Sequence, residues 1–398
     1  MRLLICAGGT GGGVYPALAV LQALEPKDEP HELGAAGSDS KTVAPPDSQS
    51  SALQTLWIGG IGGMEADLVE RAGVEYRGIP AAGVHGVGAR ALPGNVWQIG
   101  RGLRAARSIL QDFRPDVVLF TGGYVAIPVA LASRLPGLRV RPPSVLLYVP
   151  DIEPGLALKT LARFADRIAV TVEASRAYFQ GYRNITVTGY PVRDALATWD
   201  KLSARRALHL SLDLPVLLVV GGSKGARNIN RALFAALPDL LPEMQVVHIT
   251  GRLDWDETQS VQDSLSQEQL PRYHAYPYLH AEMGAALASA DLALSRAGAS
   301  TLGEYPLFGL PAILVPYPYA WQYQRVNAQY LADQGAAIVV NDENLAEDLR
   351  SVVQELIRNK GRLESMSAAM SRLARPDAAK QIGGLLYSMV KAKDPGKV

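Results

Sequence analysis

The chain opens with an apolar run, Leu3-Leu4-Ile5-Cys6-Ala7, that leads directly into a glycine-rich turn, Gly8-Gly9-Thr10-Gly11-Gly12-Gly13. The same order recurs later, where Val216-Leu217-Leu218-Val219-Val220 precedes Gly221-Gly222-Ser223-Lys224-Gly225. A buried strand followed by a glycine-rich turn and a helix is the usual start of an α/β unit that binds a ligand at its strand ends. The recurrence therefore predicts two such units.

Short β-branched or leucine-rich runs continue along the chain, and many are separated by segments with helical periodicity, such as 16–24, 228–237 and 283–290. Strands that alternate with helices form parallel sheets. The predicted strands are 3–7, 53–58, 116–121, 144–149, 167–172, 216–220, 245–250, 291–295, 312–315 and 337–340. We predict an α/β protein in which two doubly wound parallel-sheet domains face each other across a cleft.

The domain limits follow from composition. A charged, helix-forming segment at 193–212 precedes the second set of strands, so we expect one domain over 1–188 and another over 189–370. The tail, 371–398, is predicted to form a helix that packs back on the first domain. Within the first domain, 26–52 contains four prolines and almost no large apolar side chain, which predicts a mobile surface loop.

Composition excludes several classes of protein. Lys and Arg number 39 against 38 Asp and Glu, so no overall charge attracts nucleic acid. The single cysteine, Cys6, cannot form an internal disulfide and indicates a reducing compartment. The first apolar run is too short for a signal peptide, and no window reaches the ~20 apolar residues that span a bilayer. We expect a protein that is neither exported nor membrane-spanning.

The second glycine-rich turn directs amide N–H groups and a helix start at one place, beside the Ser223 hydroxyl and the cations Lys224 and Arg227. Such a group of donors binds an anion. The first turn lacks both the Lys-Ser/Thr ending of a nucleoside-triphosphate loop and the spaced glycines of a dinucleotide fold, which disfavours an NAD-dependent dehydrogenase. Taken alone, that first turn is also compatible with a plain tight turn.

A third segment, 295–304, runs from a strand end into a small-residue helix start that is followed by Glu304. Small residues allow a diphosphate to lie on the helix end, and a carboxylate can accept both hydroxyls of a ribose. The alternative is a capped helix with an exposed glutamate. Aromatic and amide side chains in 316–328 are typical of sugar ligands, although a surface loop without a ligand fits them too.

Together these segments resemble the MurG family, and the resemblance covers nearly the whole chain except 26–52. The motifs that carry it are Gly8-Gly9-Thr10-Gly11-Gly12, Met64-Glu65-Ala66-Asp67-Leu68, Gly122-Gly123-Tyr124-Val125, Gly189-Tyr190-Pro191-Val192-Arg193, Gly221-Gly222-Ser223-Lys224-Gly225-Ala226-Arg227, 295–304, and Gln324 with Asn327-Ala328. Members of this family are GT-B glycosyltransferases that add N-acetylglucosamine from UDP-N-acetylglucosamine to lipid I, which gives lipid II. The resemblance implies an inverting, metal-free transfer without a cofactor, at the cytoplasmic face of the bacterial cell membrane.

The resemblance also implies roles for individual residues. In the donor site, Arg193 and Ser223 would hold the diphosphate, Glu304 the ribose and Gln324 the sugar hydroxyls. The helix start at Ala299, Ser300 and Thr301 would lie along the diphosphate, and the backbone of Leu279 and His280 would bind the uracil. The residues implied in acceptor binding are Thr10, Gly11, Gly12, Gly13 and Tyr124.

Two positions depart from the family pattern. Gly13 stands where the family usually has a histidine, and Tyr148-Val149-Pro150-Asp151 stands in place of His-Glu-Gln-Asn. An inverting transfer needs a base for the acceptor hydroxyl. Asp151 is our candidate for that base, and Glu153 is a weaker one.

Metal-dependent transferases use an Asp-x-Asp pair, and the chain contains Asp254-Trp255-Asp256. Because this pair lies in a polar stretch after a predicted strand, we expect a solvated loop and no metal site.

A membrane-bound acceptor requires a docking surface, and the segment 84–111 contains arginines but no acidic residue. Arg101, Arg104 and Arg107 share one predicted helical face near Trp97, which suits an anionic membrane interface. A solvated basic face on a core helix is the alternative.

Other functions remain compatible with the same motifs. One is another GT-B enzyme, such as a glycolipid glycosyltransferase or a UDP-sugar epimerase. Another is a UDP-sugar-binding protein with impaired turnover, which the missing histidine suggests.

Overall fold

The computed structural model of this chain describes residues 1–8, 11–25, 53–63, 65–81, 92–135, 141–222, 225–280, 282–318 and 323–393. The loop expected at 26–52 lies outside these residues. Within them the chain forms two sheets, of seven and six strands, and all strand pairs in both are parallel. The predicted α/β architecture of two parallel-sheet domains is confirmed.

The first sheet is built from the strands that precede residue 188. It contains β1 (Arg2–Cys6), β2 (Gln54–Gly60), β3 (Glu75–Ile79), β4 (Val117–Phe120), β5 (Ser144–Val149), β6 (Arg167–Val170) and β7 (Ile185–Val187), in the order β3-β2-β1-β4-β5-β6-β7. The second sheet contains β8 (Val216–Val220), β9 (Gln245–Ile249), β10 (Tyr273–Tyr276), β11 (Leu292–Ser295), β12 (Ala312–Leu314) and β13 (Ala337–Val339), in the order β10-β9-β8-β11-β12-β13.

Helices cover the faces of both sheets, as parallel sheets require. Those up to residue 162 are α1 (Gly11–Leu24), α2 (Glu65–Arg71), α3 (Leu92–Phe113), α4 (Ala126–Arg134) and α5 (Leu156–Ala162). Those from residue 201 are α6 (Lys201–Ala207), α7 (Arg227–Leu240), α8 (Trp255–Ser264), α9 (Met283–Ser289), α10 (Glu304–Phe308), α11 (Tyr323–Asp333), α12 (Leu345–Arg358), α13 (Lys360–Ser371) and α14 (Ala378–Lys393).

The central strands are apolar throughout because both of their faces are buried. Every residue of β4 and β5 is buried, whereas β7 is only half-buried along its length. Three strands, β3, β7 and β10, were absent from the sequence prediction, and all three lie at sheet edges. One side of an edge strand has no neighbouring strand, so its sequence is less apolar and gives a weaker signal.

The last helix, α14, returns to the first sheet, as expected from the sequence. Its Ile382, Leu386 and Met389 share a core with β1 and α1. The chain that leads into α14 crosses the connection between the domains near Gly189, where Arg375 lies against the glycine. Gly189 has φ +92°, and a Cβ placed on it would lie 2.5 Å from Cβ of Arg375.

We predict that Gly189→Ala destabilises the protein more than Gly181→Ala does. Gly181 has a similar φ of +89°, but a Cβ placed on it would have no neighbouring atom within 4 Å. Both substitutions should lower the free energy of unfolding by about 1–2 kcal/mol, because alanine disfavours a positive φ. Only Gly189→Ala should lower it by a further amount of about 1–3 kcal/mol, because the added Cβ overlaps a neighbouring side chain. Differential scanning calorimetry would measure the two Tm values. Equal decreases in Tm would contradict the close contact between Gly189 and Arg375.

Candidate active site in the interdomain cleft

The carboxyl ends of strands from both sheets border one cleft of about 410 Å³. The first half contributes Gly12 and Tyr15 from α1 and Asp151 from beyond the end of β5. From the second half come Gly221 and Gly222, which directly follow β8, and several residues that follow β11. This volume is within the range of small-molecule sites, which in parallel α/β folds lie at strand ends.

Most of the predicted donor residues line this cleft. They are Arg193, Leu279, Ala299, Ser300, Thr301, Glu304 and Gln324. Ser223, the other proposed diphosphate ligand, lies outside the described residues. The side chain of His280 is exposed, which is compatible with the backbone contact assigned to it.

Glu304 is the first residue of α10 and follows a 3₁₀ turn at Ala299–Leu302. Burial raises the pKa of its carboxyl to about 7, and the nearby Arg193 cation and a hydrogen bond with Ser300 oppose that shift. Because the pKa in the folded protein lies above its ordinary value, part of the Glu304 population is protonated at neutral pH. A ligand whose hydroxyls donate to Glu304 favours the carboxylate form.

Two tyrosines join the halves of the chain at the donor side of the cleft. The Tyr15 and Tyr278 hydroxyls are hydrogen-bonded at 2.8 Å, and the Arg193 guanidinium lies 4.6 Å from the centre of the Tyr15 ring. Tyr15 of the first half therefore contacts both Arg193 and the segment that contains Leu279. Sequence reasoning missed Tyr15 and Tyr278, because a single tyrosine has no spacing pattern that would identify it.

A second arginine, Arg296, also lines the cleft. Its guanidinium forms an ion pair with the buried carboxylate of Asp342 and lies 5.4 Å from the centre of the Tyr317 ring. The charge of Arg296 is therefore compensated within the second half. By contrast, the Arg193 guanidinium stacks on the neutral Tyr15 ring and has only the partly protonated Glu304 carboxyl near it, so much of its charge is available to an anionic ligand.

Asp151 places a carboxylate at the cleft from the acceptor side. Its Oδ1 accepts a hydrogen bond from Nδ2 of Asn327 at 2.8 Å. Burial raises the pKa of Asp151 to about 6, and the bond from Asn327 opposes the shift. Glu153, the weaker candidate, forms an ion pair with Lys159 at 3.4 Å instead.

The predicted acceptor residues that the structure describes follow β1 and β4, which are neighbouring strands of the first sheet. Gly12 lines the cleft, Gly11 is the first residue of α1, and Tyr124 is 40% exposed. Thr10 lies outside the described residues. Gly13 is buried, and a Cβ there would lie 3.2 Å from the carbonyl oxygen of Thr121, so a histidine at this position requires Thr121 to shift.

The expectation of a solvated loop at Asp254-Trp255-Asp256 is wrong. Asp254 is buried, accepts hydrogen bonds from Arg227 at 3.0 Å and Asn230 at 2.9 Å, and directly precedes α8. Its carboxylate thus fixes the start of α7 beside the second glycine-rich turn. Across the described parts of the chain, no group of three or more His, Cys, Asp or Glu side chains has an arrangement suited to a metal ion.

Helix α3 carries the predicted basic face. Arg101 and Arg104 are exposed, Arg107 is half-buried, and Trp97 is 65% exposed. The opposite side of α3, which includes Ala106, Ile109 and Leu110, packs into the hydrophobic core on one face of the first sheet. Within the described ranges, no helix has the length and apolar character needed to cross a bilayer.

Both halves of the chain match models of known protein families. The family model for the glycosyltransferase family 28 N-terminal domain matches residues 49–170, and that for the family 28 C-terminal domain matches residues 216–382. The first match spans β2 to β6 of the seven-stranded sheet, and the second spans all six strands of the other sheet.

Two relatives carry the name "UDP-N-acetylglucosamine--N-acetylmuramyl-(pentapeptide) pyrophosphoryl-undecaprenol N-acetylglucosamine transferase". The relative from Roseiflexus sp. (strain RS-1) is 38% identical, over 98% of this chain and 95% of its own length. The relative from Desulforamulus reducens is 36% identical, over 96% of this chain and 97% of its own length.

Among solved structures, Acinetobacter baumannii MurG superimposes with a TM-score of 0.70 at 26% identity, over 97% of this chain and 99% of that one. A UDP-GlcNAc 2-epimerase from Neisseria meningitidis bound to UDP-GlcNAc has a TM-score of 0.67 at 15% identity, over 98% of this chain and 100% of that one. The epimerase shares the fold alone. From its sequence relatives, both family models and the cleft shared by its two domains, this chain belongs to the MurG family of family 28 glycosyltransferases.

Proposed function

We propose that this protein transfers N-acetylglucosamine from UDP-N-acetylglucosamine to the 4-hydroxyl of the muramyl sugar of lipid I, which gives lipid II for peptidoglycan synthesis. The observation that carries the proposal is its similarity, over nearly the full length of both chains, to transferases named for this reaction. The cleft lined by both halves supports it, because a transferase must hold donor and acceptor together.

The donor occupies the side of the cleft formed by the second half. Arg193, Ser223 and the turn at Ala299–Leu302 hold the diphosphate, Glu304 accepts from the ribose, and the backbone of Leu279 and His280 binds the uracil. Gln324 binds the sugar hydroxyls through Nε2, since its Oε1 accepts a hydrogen bond from the Tyr317 amide at 2.9 Å. Several of these positions meet in the cleft, which supports the assignment.

Departure of UDP leaves negative charge on the diphosphate, which must be stabilised. The proposed stabilisers are the Arg193 guanidinium, the Gly222 amide and the amide N–H groups at the start of the turn at Ala299–Leu302. The Gly221 amide is not among them, because it donates to the Ile249 carbonyl at 3.4 Å. Their charges are part of the protein, so we propose that the reaction requires neither a divalent cation nor another cofactor.

The acceptor occupies the side formed by the first half, where Gly11, Gly12, Gly13 and Tyr124 contribute to its binding. Thr10, which lies outside the described residues, is assigned to acceptor binding from its place in the motif. The acceptor 4-hydroxyl attacks the anomeric carbon from the face opposite UDP. A new C–O bond forms as the bond to the diphosphate oxygen breaks, and the hydroxyl proton passes to Asp151. The configuration at the anomeric carbon is therefore inverted, through an oxocarbenium-like transition state.

The protein reaches its lipid-linked acceptor through α3, at the cytoplasmic face of the cell membrane. Trp97 offers an amphipathic ring to the interface, and Arg101, Arg104 and Arg107 offer cations to anionic headgroups. The exposure of Trp97, Arg101 and Arg104 supports this docking surface.

Radiolabelled UDP-N-acetylglucosamine incubated with the full chain and lipid I tests the proposed function. We expect label in the lipid fraction, none when lipid I is omitted, and little transfer when UDP-glucose replaces the donor. Binding of the donor without transfer or hydrolysis would favour an impaired binding protein. Conversion of the donor to its 2-epimer would favour an epimerase.

Asp151→Asn should lower kcat about 10²–10⁴-fold with little change in donor affinity, because it removes a general base and keeps the side-chain shape. In the wild-type protein, kcat/KM for lipid I at saturating donor, which keeps Glu304 ionised, should fall as the pH decreases below about 6, where Asp151 takes up a proton. Steady-state kinetics between pH 5 and about 9 would measure both effects. Full turnover in Asp151→Asn would remove Asp151 from the mechanism.

Vesicle pelleting tests the docking surface. Combined Arg101→Gln and Arg104→Gln should weaken binding to phosphatidylglycerol vesicles by roughly 30-fold, at about 1 kcal/mol for each arginine. A matched control changes Arg206 and Arg372, which are exposed in the second half, to Gln. Equal binding of the wild-type protein to neutral and anionic vesicles, or equal losses in both double variants, would contradict the assignment.

A further inference from the structure

Asn327 is a fully buried side chain of α11 that links the two halves at the cleft. Its Nδ2 donates to Oδ1 of Asp151 at 2.8 Å and to the carbonyl oxygen of Ala297 at 3.2 Å. The Ile152 amide donates to Oδ1 of Asn327 at 3.1 Å. One amide group thus contacts the segment after β5 in the first half and the segment after β11 in the second half.

The partners determine the orientation of this amide. The Ala297 carbonyl can only accept and the Ile152 amide can only donate, so Nδ2 and Oδ1 cannot exchange places. Both N–H groups of Asn327 are therefore committed to protein acceptors. An asparagine that is bonded in this way positions its neighbours and leaves substrate contacts to Gln324, one turn earlier on α11.

We propose that Asn327 is a positioning residue for Asp151: it fixes the carboxylate at the cleft from the opposite domain, so the base is oriented only when the two domains are together. This inference rests on the proposed function, in which Asp151 takes the acceptor proton. The same amide holds the backbone at Ile152, so both the carboxylate and its supporting chain are held by one residue of the donor domain.

Asn327 also affects the protonation state of Asp151. A hydrogen bond donated to a carboxylate favours the charged form and lowers its pKa, which opposes the effect of burial. Among the described residues, the titratable groups that interact with Asp151 are the phenols of Tyr148, Tyr190 and Tyr323, from β5, the interdomain connection and α11. Burial raises the pKa of all three phenols, so they remain neutral around pH 6. They therefore add no charge beside Asp151, and the Asn327 hydrogen bond is the interaction that opposes the effect of burial on the pKa of Asp151.

The test is Asn327→Ala in the full chain, with two readouts. The acid limb of kcat/KM for lipid I, measured at saturating donor, should move up by about one pH unit, since a hydrogen bond to a charged group contributes roughly that much. The infrared band of the protonated carboxyl, assigned by its loss in Asp151→Asn, should titrate at a pH higher by the same amount. A loss of kcat of about 10-fold should accompany both shifts, because the base is no longer oriented.

Asn230→Ala is the matched control. Asn230 is also fully buried, donates to Thr250 and Asp254 at 2.9 Å, and is bonded to His248 at 3.0 Å, all within the second half. Its loss should lower the Tm to a similar extent and leave the titration of Asp151 unchanged. If Asn327→Ala does not fold, Asn327→Asp keeps the side-chain shape and should raise the apparent pKa of the carboxyl pair further.

Coincident titration of Asp151 in the wild-type protein and in the Asn327 variants would overturn the positioning role, even if Asp151→Asn abolishes transfer. The infrared titration needs no substrate. A shift of that band without any transfer by the wild-type protein would contradict the proposed function and leave the contact between Asn327 and Asp151 established.

Discussion

Parallel pairing forces all strands of one sheet to end at the same edge, and this constraint brings the cleft residues together. Asp151 follows β5, Gly221 follows β8 and Glu304 lies beyond β11, yet all three line one cavity because the two edges face each other. The return of α14 to the first sheet adds a second covalent route between the halves. Residues separated by more than 100 positions, such as Asp151 and Asn327, are therefore held at hydrogen-bonding distance.

The cleft concentrates groups whose burial opposes ionisation. The pKa of Asp151 is raised to about 6 and that of Glu304 to about 7. A carboxyl whose pKa is higher in the folded than in the unfolded chain binds more protons when folded, so its contribution to stability is present at low pH and is lost as the pH rises through that value. Both carboxylates are thus costly to stability at the pH where the proposed roles, Asp151 as a base and Glu304 as a partner of the ribose, require them to be charged, which is typical of functional sites.

Central strands could be predicted from the sequence, because burial on both faces requires a run of apolar residues. Glycine-rich turns could also be predicted, because close backbone approach requires glycines. Edge strands such as β3 and β10 could not be predicted, since a strand with only one neighbour is less buried and needs fewer apolar residues. Among site residues, Arg193 and Glu304 stood in recognisable motifs. Asn327 stood in one as well, but its partner Asp151 is 176 positions away, and only the packing of the two domains reveals the contact. The prediction for Asp254 was wrong because a buried carboxylate whose two hydrogen-bond partners are distant in sequence has the same local sequence as a solvated one.

The central claim is that the charges of the protein alone hold a uridine diphosphate sugar in this cleft. Isothermal titration calorimetry of UDP-N-acetylglucosamine, with and without EDTA and with Arg193→Ala as the variant, tests it most directly. The account predicts one site per chain, an affinity unchanged by EDTA, and a loss of about 10-fold or more when the Arg193 guanidinium is removed. Absence of binding by the wild-type protein, or binding that EDTA abolishes, would contradict it.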